Sequence, residues 1–248
     1  MSYESTIEGS YSITLNEPVG SCSISPSGRD VCLAARKGIF IVDLDDLWAA
    51  PRFLSHWATT EVADVQWNIH SSRAHWVVST SSSKALVWNL ASSSDNPIEH
   101  VCHGHERSIT DINWSVFNPD VLATCGIDGF VLCWDLRMGG SKTALNITRS
   151  VYQWCGWRYG ATQVKWNRQS PHELASAHGD SVLIWDERKG SMPVTTIKAH
   201  DQKIYGIDYS RKGKDSLVTC SLDRTVKVRS ISETFHAYLI LLVTSTGS

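Results

Sequence analysis

The sequence lacks the features that mark membrane and secreted proteins. None of its 248 residues belongs to an apolar run as long as the ~18 residues that a bilayer-spanning helix needs. The N-terminus, MSYESTIEGS, has neither the basic start nor the apolar centre of a secretory signal peptide. We therefore expect no integral membrane segment and no secretory leader.

An excess of basic charge is also missing. The chain has 23 Lys and Arg against 25 Asp and Glu, so its formal net charge is −2. Proteins that bind nucleic acid usually carry a basic stripe that neutralises phosphates. The charge balance therefore predicts that the partners do not include nucleic acid.

Cysteine is present but shows neither disulfide nor metal spacing. The count of seven is odd, and no two cysteines form a CxxC pair. Cys125 and Cys220 occupy the same place in two strand-like segments. We interpret the cysteines as small buried apolar residues in a reducing compartment, because a disulfide framework would show paired spacings.

Motifs for nucleophilic catalysis are absent as well. No Gly-x-Ser-x-Gly elbow occurs to place a nucleophile. His105, Thr124 and Asp128 have the residue types of a hydrolase triad, but a similar trio recurs later in the chain, and a catalytic set has no reason to be copied. The sequence therefore predicts no enzyme activity, no catalytic residues and no small-molecule substrate.

The sequence also disfavours a metal site. His100, Cys102, His103 and His105 lie close together in the chain, and all are metal-ligand types. Strand alternation, however, puts His103 and His105 on one face and Cys102 on the other. We predict no metal and no cofactor.

The stretch from His105 to Leu136 shows what the chain does contain. Gly104 and His105 open it, and Trp134-Asp135 closes it. Three short apolar runs lie between, separated by turn residues, with Asp128-Gly129 suited to a tight hairpin. This pattern is typical of one blade of a β-propeller. The apolar runs are Ile109–Trp114, Val121–Cys125 and Phe130–Trp134.

Weaker copies of this stretch recur along the chain. Aromatic residues close the first strand of four copies, at Trp67, Trp114, Trp166 and Tyr209, a period typical of stacked blades. We predict an all-β propeller with about five recognisable blades in an incomplete ring, spanning 19–231. The blades are placed at 19–57, 61–102, 105–148, 161–199 and 200–231, with a loose N-terminal segment at 1–18 and an irregular C-terminal tail at 232–248.

These residues resemble the WD-repeat family. The resemblance implies that a His, a Ser or Thr, a turn Asp and a Trp form a hydrogen-bonded chain inside each blade, so that their polar groups are buried without loss. In the best copy these are His105, Thr124, Asp128 and Trp134. The other residues that we predict to be structural residues of the blades are Trp88, Trp185, Asp186, His200, Thr219 and Asp223.

Several copies depart from the pattern. Val42-Asp43 stands where the first blade should have Trp-Asp, and Arg229 replaces the Trp of the fifth. The turn Ser81–Lys84 of the second blade has no Asp, so its hydrogen-bonded chain should be incomplete. In the fourth blade no Gly-His pair is found, and Asp180 lies one residue nearer to the Trp than Asp128 does.

Two segments fit no repeat. The third blade should end with an outer strand near Ala144–Ile147, and the aromatic stretch 149–159 that follows is either an exposed binding loop or translated intron. The tail after Ile231 poses a similar choice. There, Tyr238–Val243 either supplies the outer strand of the fifth blade or is translated intron.

Three segments carry a closer resemblance: Val65–Asn68, Gly160–Asn167 and Ile184–Lys189. They are similar to the N-terminal propeller of WD repeat-containing protein 59 and its fungal relatives, which belong to the SEA complex, called GATOR in animals. The resemblance covers about 20–230. Because members of that family are much longer, it suggests a truncated product.

The resemblance implies a non-catalytic scaffold that relays amino-acid signals to TOR complex 1. Its partners would be other SEA or GATOR subunits, and its location cytoplasmic, peripheral at the vacuole or lysosome membrane. The alternative is a WD-repeat substrate receptor of a ubiquitin ligase, or a reader of peptide motifs. Either function would use surface loops and not the core.

Overall fold

The computed structural model describes residues 3–4, 12–56, 62–138, 146–148, 150–155, 159–212, 216–231 and 237–242. In this part of the chain nearly all regular structure is β-strand, and the only helices are three single 3₁₀ turns. None of them could span a membrane. The strands form five main sheets in chain order, which confirms the predicted all-β propeller with five blades.

The strands of the five blades are numbered along the chain, after a short ladder of β1 (Tyr3–Glu4) with β2 (Ser12–Ile13). Blade 1 contains β3 (Val19–Ile24), β4 (Asp30–Ala35), β5 (Gly38–Asp43) and β6 (Arg52–Ser55). Blade 2 contains β7 (Val65–Trp67), β8 (Trp76–Ser81), β9 (Lys84–Asn89) and β10 (Ile98–His103). Blade 3 begins with β11 (Ile109–Trp114), β12 (Val121–Gly126) and β13 (Phe130–Asp135).

The sheet of blade 2 gains a fifth strand from a segment later in the chain. It is β14 (Asn146–Thr148), and blade 3 ends with β15 (Ser150–Cys155). Blade 4 contains β16 (Ala161–Trp166), β17 (Glu173–His178), β18 (Ser181–Asp186) and β19 (Thr195–Lys198). Blade 5 contains β20 (Ile204–Tyr209), β21 (Ser216–Ser221), β22 (Thr225–Ser230) and β23 (Ala237–Leu242). The 3₁₀ turns are Ser71–Arg73, Leu136–Met138 and Glu187–Lys189.

The outer strand of blade 3 is not where the sequence predicted it. The segment near Ala144–Ile147 contributes β14, which pairs in parallel with β10 of blade 2. The edge of β13 is instead covered by β15, with Leu132 opposite Gln153. The expectation of a loop at 149–159 is therefore wrong for β15. Sequence alternation identifies strand-prone segments, but it does not say which free edge each will pair with.

The C-terminal tail also contains a strand. In β23, Ile240 lies opposite Lys227 of β22, so the segment completes the four-stranded sheet of blade 5. Of the two alternatives stated for Tyr238–Val243, the structure shows the outer strand of blade 5, so the irregular tail predicted at 232–248 is wrong for residues 237–242. The physical reason is that an apolar, strand-prone run can satisfy the backbone groups along the free edge of β22.

Apolar contacts between successive blades form the core. The first strands of neighbouring blades, which we call the inner strands, lie side by side, and in blades 2 to 5 the aromatic residue that closes this strand packs on the blade before it. Trp114 packs with Trp76 and Val78 of blade 2, and Trp166 packs with Ala123 and others of blade 3. Tyr209 repeats this contact against blade 4. The period of the aromatic residues in the sequence therefore corresponds to the stacking of the blades.

Polar bonds between the inner strands repeat with the same period. A side-chain oxygen near the start of one inner strand accepts a hydrogen bond from the backbone N–H of the fourth residue of the next inner strand. The acceptor is the third residue of its strand in blades 3 and 4, and the residue just before β7 in blade 2. Because these acceptors lie on neighbouring strands of different blades, they fix how each blade is set against the next. The bonds are Ile112 N to Asp64 Oδ2 (3.2 Å), Val164 N to Asp111 Oδ2 (2.9 Å) and Ile207 N to Gln163 Oε1 (2.8 Å).

The face of blade 5 that points away from blade 4, which we call its trailing face, is exposed in the described part of the chain. Cys125 of blade 3 and Ala177 of blade 4 are fully buried by the blade that follows each of them. The equivalent residue of blade 5, Cys220, is exposed, as is its neighbour Val218. Cys220 does occupy the same place in its strand as Cys125, as predicted. The prediction that Cys220 is buried is wrong, because no described blade covers it.

Candidate functional site

Blade 3 contains a complete buried hydrogen-bonded chain. His105 Nδ1 lies 2.9 Å from Asp128 Oδ2, and His105 Nε2 lies 2.8 Å from Thr124 Oγ1. The Trp134 indole N–H donates to the same hydroxyl at 2.9 Å. Burial lowers the pKa of His105, against the opposing effect of Asp128. The imidazole is therefore neutral, with its proton on Nδ1, and Thr124 donates to Nε2.

Blade 5 has the same chain without its tryptophan. His200 bonds Asp223 and Thr219, each at 2.8 Å. Arg229 replaces the indole, and its guanidinium donates to the carbonyl of Ala199 at 2.9 Å. Burial of Asp223 is outweighed by hydrogen bonds from Thr225, His200 and backbone N–H groups, which hold the pKa of this carboxyl below its usual range.

Blade 2 has only part of the chain. The Trp88 indole donates to Ser79 Oγ at 2.8 Å, which replaces Thr124 of blade 3. His56 lies at the end of β6 and is buried, but neither ring nitrogen has a hydrogen-bond partner among the described residues. Burial lowers its pKa. Blade 2 thus lacks the turn aspartate, and the histidine in the connection before it, His56, has no hydrogen-bond partner among the described residues.

Blade 4 builds its chain from a histidine that the sequence did not assign. The Trp185 indole donates to Ser176 Oγ at 2.7 Å, and this hydroxyl lies 2.9 Å from His178 Nε2. His178 Nδ1 bonds the carbonyl of Tyr159 at 3.0 Å in place of a carboxylate. The available signal was the spacing of Ser176 and His178, because residues two apart on a strand share a face.

Asp186, which the sequence predicts to be a structural residue of blade 4, pairs through its carboxylate at the rim. Arg188 donates to both oxygens, at 2.9 and 2.7 Å, and these hydrogen bonds lower the pKa of Asp186 to about 2. Arg137 holds Asp135 in the same way in blade 3. The aspartate that follows each tryptophan therefore fixes the start of the next connection and does not join the buried chain.

The suspected metal ligands do not converge. Cys102 is buried, and burial raises the pKa of its thiol, whereas His103 is exposed and ends β10. His105 is buried beyond that end, so the prediction that His103 and His105 share one strand face is wrong. In the described parts of the chain, no three His, Cys, Asp or Glu residues are grouped to hold a metal ion.

Comparison with known proteins agrees with this geometry. Residues 96–135 and 191–230 match the WD40 family, described as WD domain, G-beta repeat. An RWD, RING finger and WD repeat-containing protein of Schizosaccharomyces pombe is 51% identical over 224 residues, which are 90% of this chain and 16% of the relative. Maintenance of telomere capping protein 5 of Saccharomyces cerevisiae is 46% identical over 90% of this chain and 19% of the relative.

An animal relative is more distant. The GATOR2 complex protein WDR59 of Homo sapiens is 33% identical over 204 residues, which are 82% of this chain and 20% of the relative. The chain therefore spans a fifth or less of the length of these three relatives.

Proposed function

As a WD-repeat protein that resembles WDR59 and its fungal relatives, the chain is, we propose, a non-catalytic scaffold for protein–protein interaction. The observation that carries this proposal is the use of its reactive groups. The hydroxyl of Thr124 is buried between His105 and Trp134, and the hydroxyl of Ser176 lies in the same way between His178 and Trp185. Neither can meet a substrate.

The lower end of the blades supports a binding role. Connections between the first and second strands and between the third and fourth strands of a meander lie at one end of the sheet, which we call the lower end. Large apolar side chains are exposed there in four blades. Aromatic and methionine side chains are enriched in protein–protein interfaces, and we propose that these exposed groups contact a partner protein. They are Trp48, Ile69, Phe117, Met138 and Met192.

The finer role is a proposal based on the relatives. WDR59 is named as a GATOR2 complex protein, and the chain resembles it over most of its own length. We propose that the partners are SEA or GATOR subunits, that the assembly relays amino-acid signals to TOR complex 1, and that it acts in the cytoplasm, peripheral at the vacuole or lysosome membrane.

Affinity purification tests this assignment. The tagged chain, expressed in its own cells, is expected to co-purify with SEA or GATOR subunits. A variant that carries Trp48→Ser and Met138→Ser should recover less of them, whereas Leu222→Ser is the matched control, because Leu222 is an exposed apolar residue in the second-to-third-strand turn of blade 5, away from the lower end. Recovery of ubiquitin-ligase subunits without any SEA or GATOR subunit would instead support the receptor alternative.

A further inference from the structure

A cavity of about 500 Å³ opens at the other end of the blades, the upper end. It lies where the connections between blades 3, 4 and 5 meet the second-to-third-strand turns. This size accommodates a large side chain together with part of the peptide backbone that carries it. The residues of its wall that matter here are Ile127, Tyr159, Gly179, Asp180, Asp201 and Lys203.

The carboxylate of Asp180 is not part of the buried hydrogen-bonded chain of blade 4, because that blade departs from the repeat. In blades 3 and 5 the buried histidine bonds the carboxylate of the turn aspartate. In blade 4 the buried histidine, His178, bonds the Tyr159 carbonyl instead. Asp180 accepts a hydrogen bond from Ser181 Oγ at 2.7 Å and remains partly exposed. Its cationic neighbour, Lys198, is 3.9 Å away and largely exposed, so that pair contributes little.

Asp201, in the connection between blades 4 and 5, supplies a second acidic residue to the wall. Its backbone N–H donates to Asp223 Oδ2 at 3.2 Å, which anchors the residue to the chain of blade 5. The Asp201 side chain is exposed and has no partner in the described part of the protein. Lys203 is the one cation among the described wall residues, and its ammonium lies 5.3 Å from the centre of the Tyr205 ring.

The apolar part of the wall is rigid on one side. The Tyr159 ring is exposed but lies so close to Gly179 that a Cβ there would approach a ring carbon to 2.8 Å. Its carbonyl is held by His178. Ile127 adds an exposed aliphatic surface from blade 3. An aromatic face and an aliphatic wall beside two carboxylates match the stem and the planar cation of arginine.

We propose that this cavity binds an arginine side chain in an exposed segment of a partner protein. The inference rests on the proposed scaffold function and assigns it a recognition site. Asp180 and Asp201 accept hydrogen bonds from the guanidinium, and Tyr159 contacts its face. The site exists because the fourth blade uses a strand histidine and a carbonyl where other blades use the turn aspartate.

The test uses the full 248-residue chain and a short peptide. The probe is acetyl-Gly-Ser-Arg-Ser-Gly-amide, titrated against the ¹⁵N-labelled chain while the amide signals of Gly160, Gly179 and Gln202 are followed. The same peptide with neutral citrulline in place of arginine should bind about tenfold more weakly or worse, because the charge-assisted hydrogen bonds are lost. A lysine peptide is expected to lie between the two.

Variants assign the binding to the two carboxylates. Asp180→Asn with Asp201→Asn should weaken the arginine peptide about tenfold or more without altering the remaining amide spectrum, whereas Asp95→Asn should leave binding unchanged. Asp201→Lys should abolish binding of the arginine peptide while the chain stays folded. Equal binding of the arginine and citrulline peptides, no binding of either, or an unchanged affinity in the double variant each overturns the proposal. Co-purification with partners in the same variants then reports on the scaffold function separately.

Discussion

Single hydroxyl groups decide whether the interior of a blade is fully hydrogen bonded. Thr124 accepts from the Trp134 indole and donates to His105, so one oxygen satisfies two buried nitrogens. Ser79 of blade 2 satisfies only the indole. Residues that look catalytic in the sequence are therefore interpreted here as structural, because their reactive atoms are already occupied and buried.

Thr124→Val tests this interpretation at nearly constant volume. The valine leaves the indole N–H and the imidazole nitrogen buried without partners, so the free energy of unfolding should fall by about 2–3 kcal/mol. Urea denaturation of the chain measures this. Thr124→Ser keeps the hydroxyl and should cost only about 1 kcal/mol for the lost methyl group. Equal losses in the two variants would show that the hydroxyl contributes nothing.

Elements are fixed to one another by close backbone approach and by buried polar bonds. At the contact between blades 3 and 4, Gly160 lies against the backbone of Ile127. At the inner strands, Asp111 accepts from Val164 N–H and from the Lys165 ammonium at 2.7 Å. Each of these contacts makes a separate prediction about how two blades are joined.

Gly160→Ala should separate blades 3 and 4 locally. A Cβ at this position would lie 2.7 Å from the Ile127 Cα and 2.9 Å from its carbonyl oxygen, and backbone atoms cannot rotate away. We expect a loss of about 1–3 kcal/mol in the free energy of unfolding, measured by urea denaturation. Gly20→Ala is the control, since its nearest neighbour would be 3.8 Å away. A similar midpoint for both variants would contradict the contact.

Asp111→Asn should change how stability depends on pH. Burial raises the pKa of Asp111 to about 6, with Asp64 adding to the rise and Lys165 opposing it. Between the unfolded pKa near 3.8 and this value, the folded chain binds more protons than the unfolded chain. The contribution of Asp111 to stability therefore increases as pH falls from 7 to 4, by about 2–3 kcal/mol.

The measurement is the difference in unfolding free energy between the original chain and Asp111→Asn across that range. Carboxyl groups with lowered pKa values, such as Asp186, contribute less to the stability of both proteins at the acid end of the range. Their effect therefore cancels in the difference. A difference that does not change between pH 7 and pH 4 would show that Asp111 titrates normally. The asparagine still offers Val164 N–H an oxygen, so the blades should remain joined.

The described part of the chain forms five blades in series, and the outward faces of the first and the last blade are exposed there. Cys220 on the trailing face of blade 5 and Cys22 on the leading face of blade 1 are exposed. Cysteines between blades are buried, and burial raises the pKa of their thiols, which makes them poor nucleophiles. The described parts of the chain thus show the same type of residue in two environments set by the neighbouring blade. The buried thiols are Cys32, Cys102, Cys125 and Cys133.

Thiol labelling of the native chain distinguishes these environments. Cys22 and Cys220 should react with a maleimide at least about tenfold faster than Cys125, and the buried thiols should react only on unfolding. Mass spectrometry of peptides gives the rate for each site. Protection of Cys220 in the native chain would show that another sheet covers blade 5, and equal rates at all sites would contradict the packing of the blades.

The repeat, the strands and the stacking period were accessible from the sequence. Trp67, Trp114 and Trp166 recur because four of the blades carry an aromatic residue at the same place, and this local pattern can be read from the sequence without knowing which residues it contacts. The strands around His105 to Leu136 were predicted within a residue or two for the same reason. Alternation and turn residues act over short distances along the chain.

The tertiary structure alone decided which partner each segment meets. It assigned β15 and not Ala144–Ile147 to the edge of blade 3, exposed Cys220 while burying Cys125, and gave His178 the place of the missing histidine in blade 4. Pairing, burial and the use of Asp180 depend on groups tens of residues away. A sequence pattern fixes what a segment is suited to form, whereas the neighbours available in three dimensions fix what it contacts.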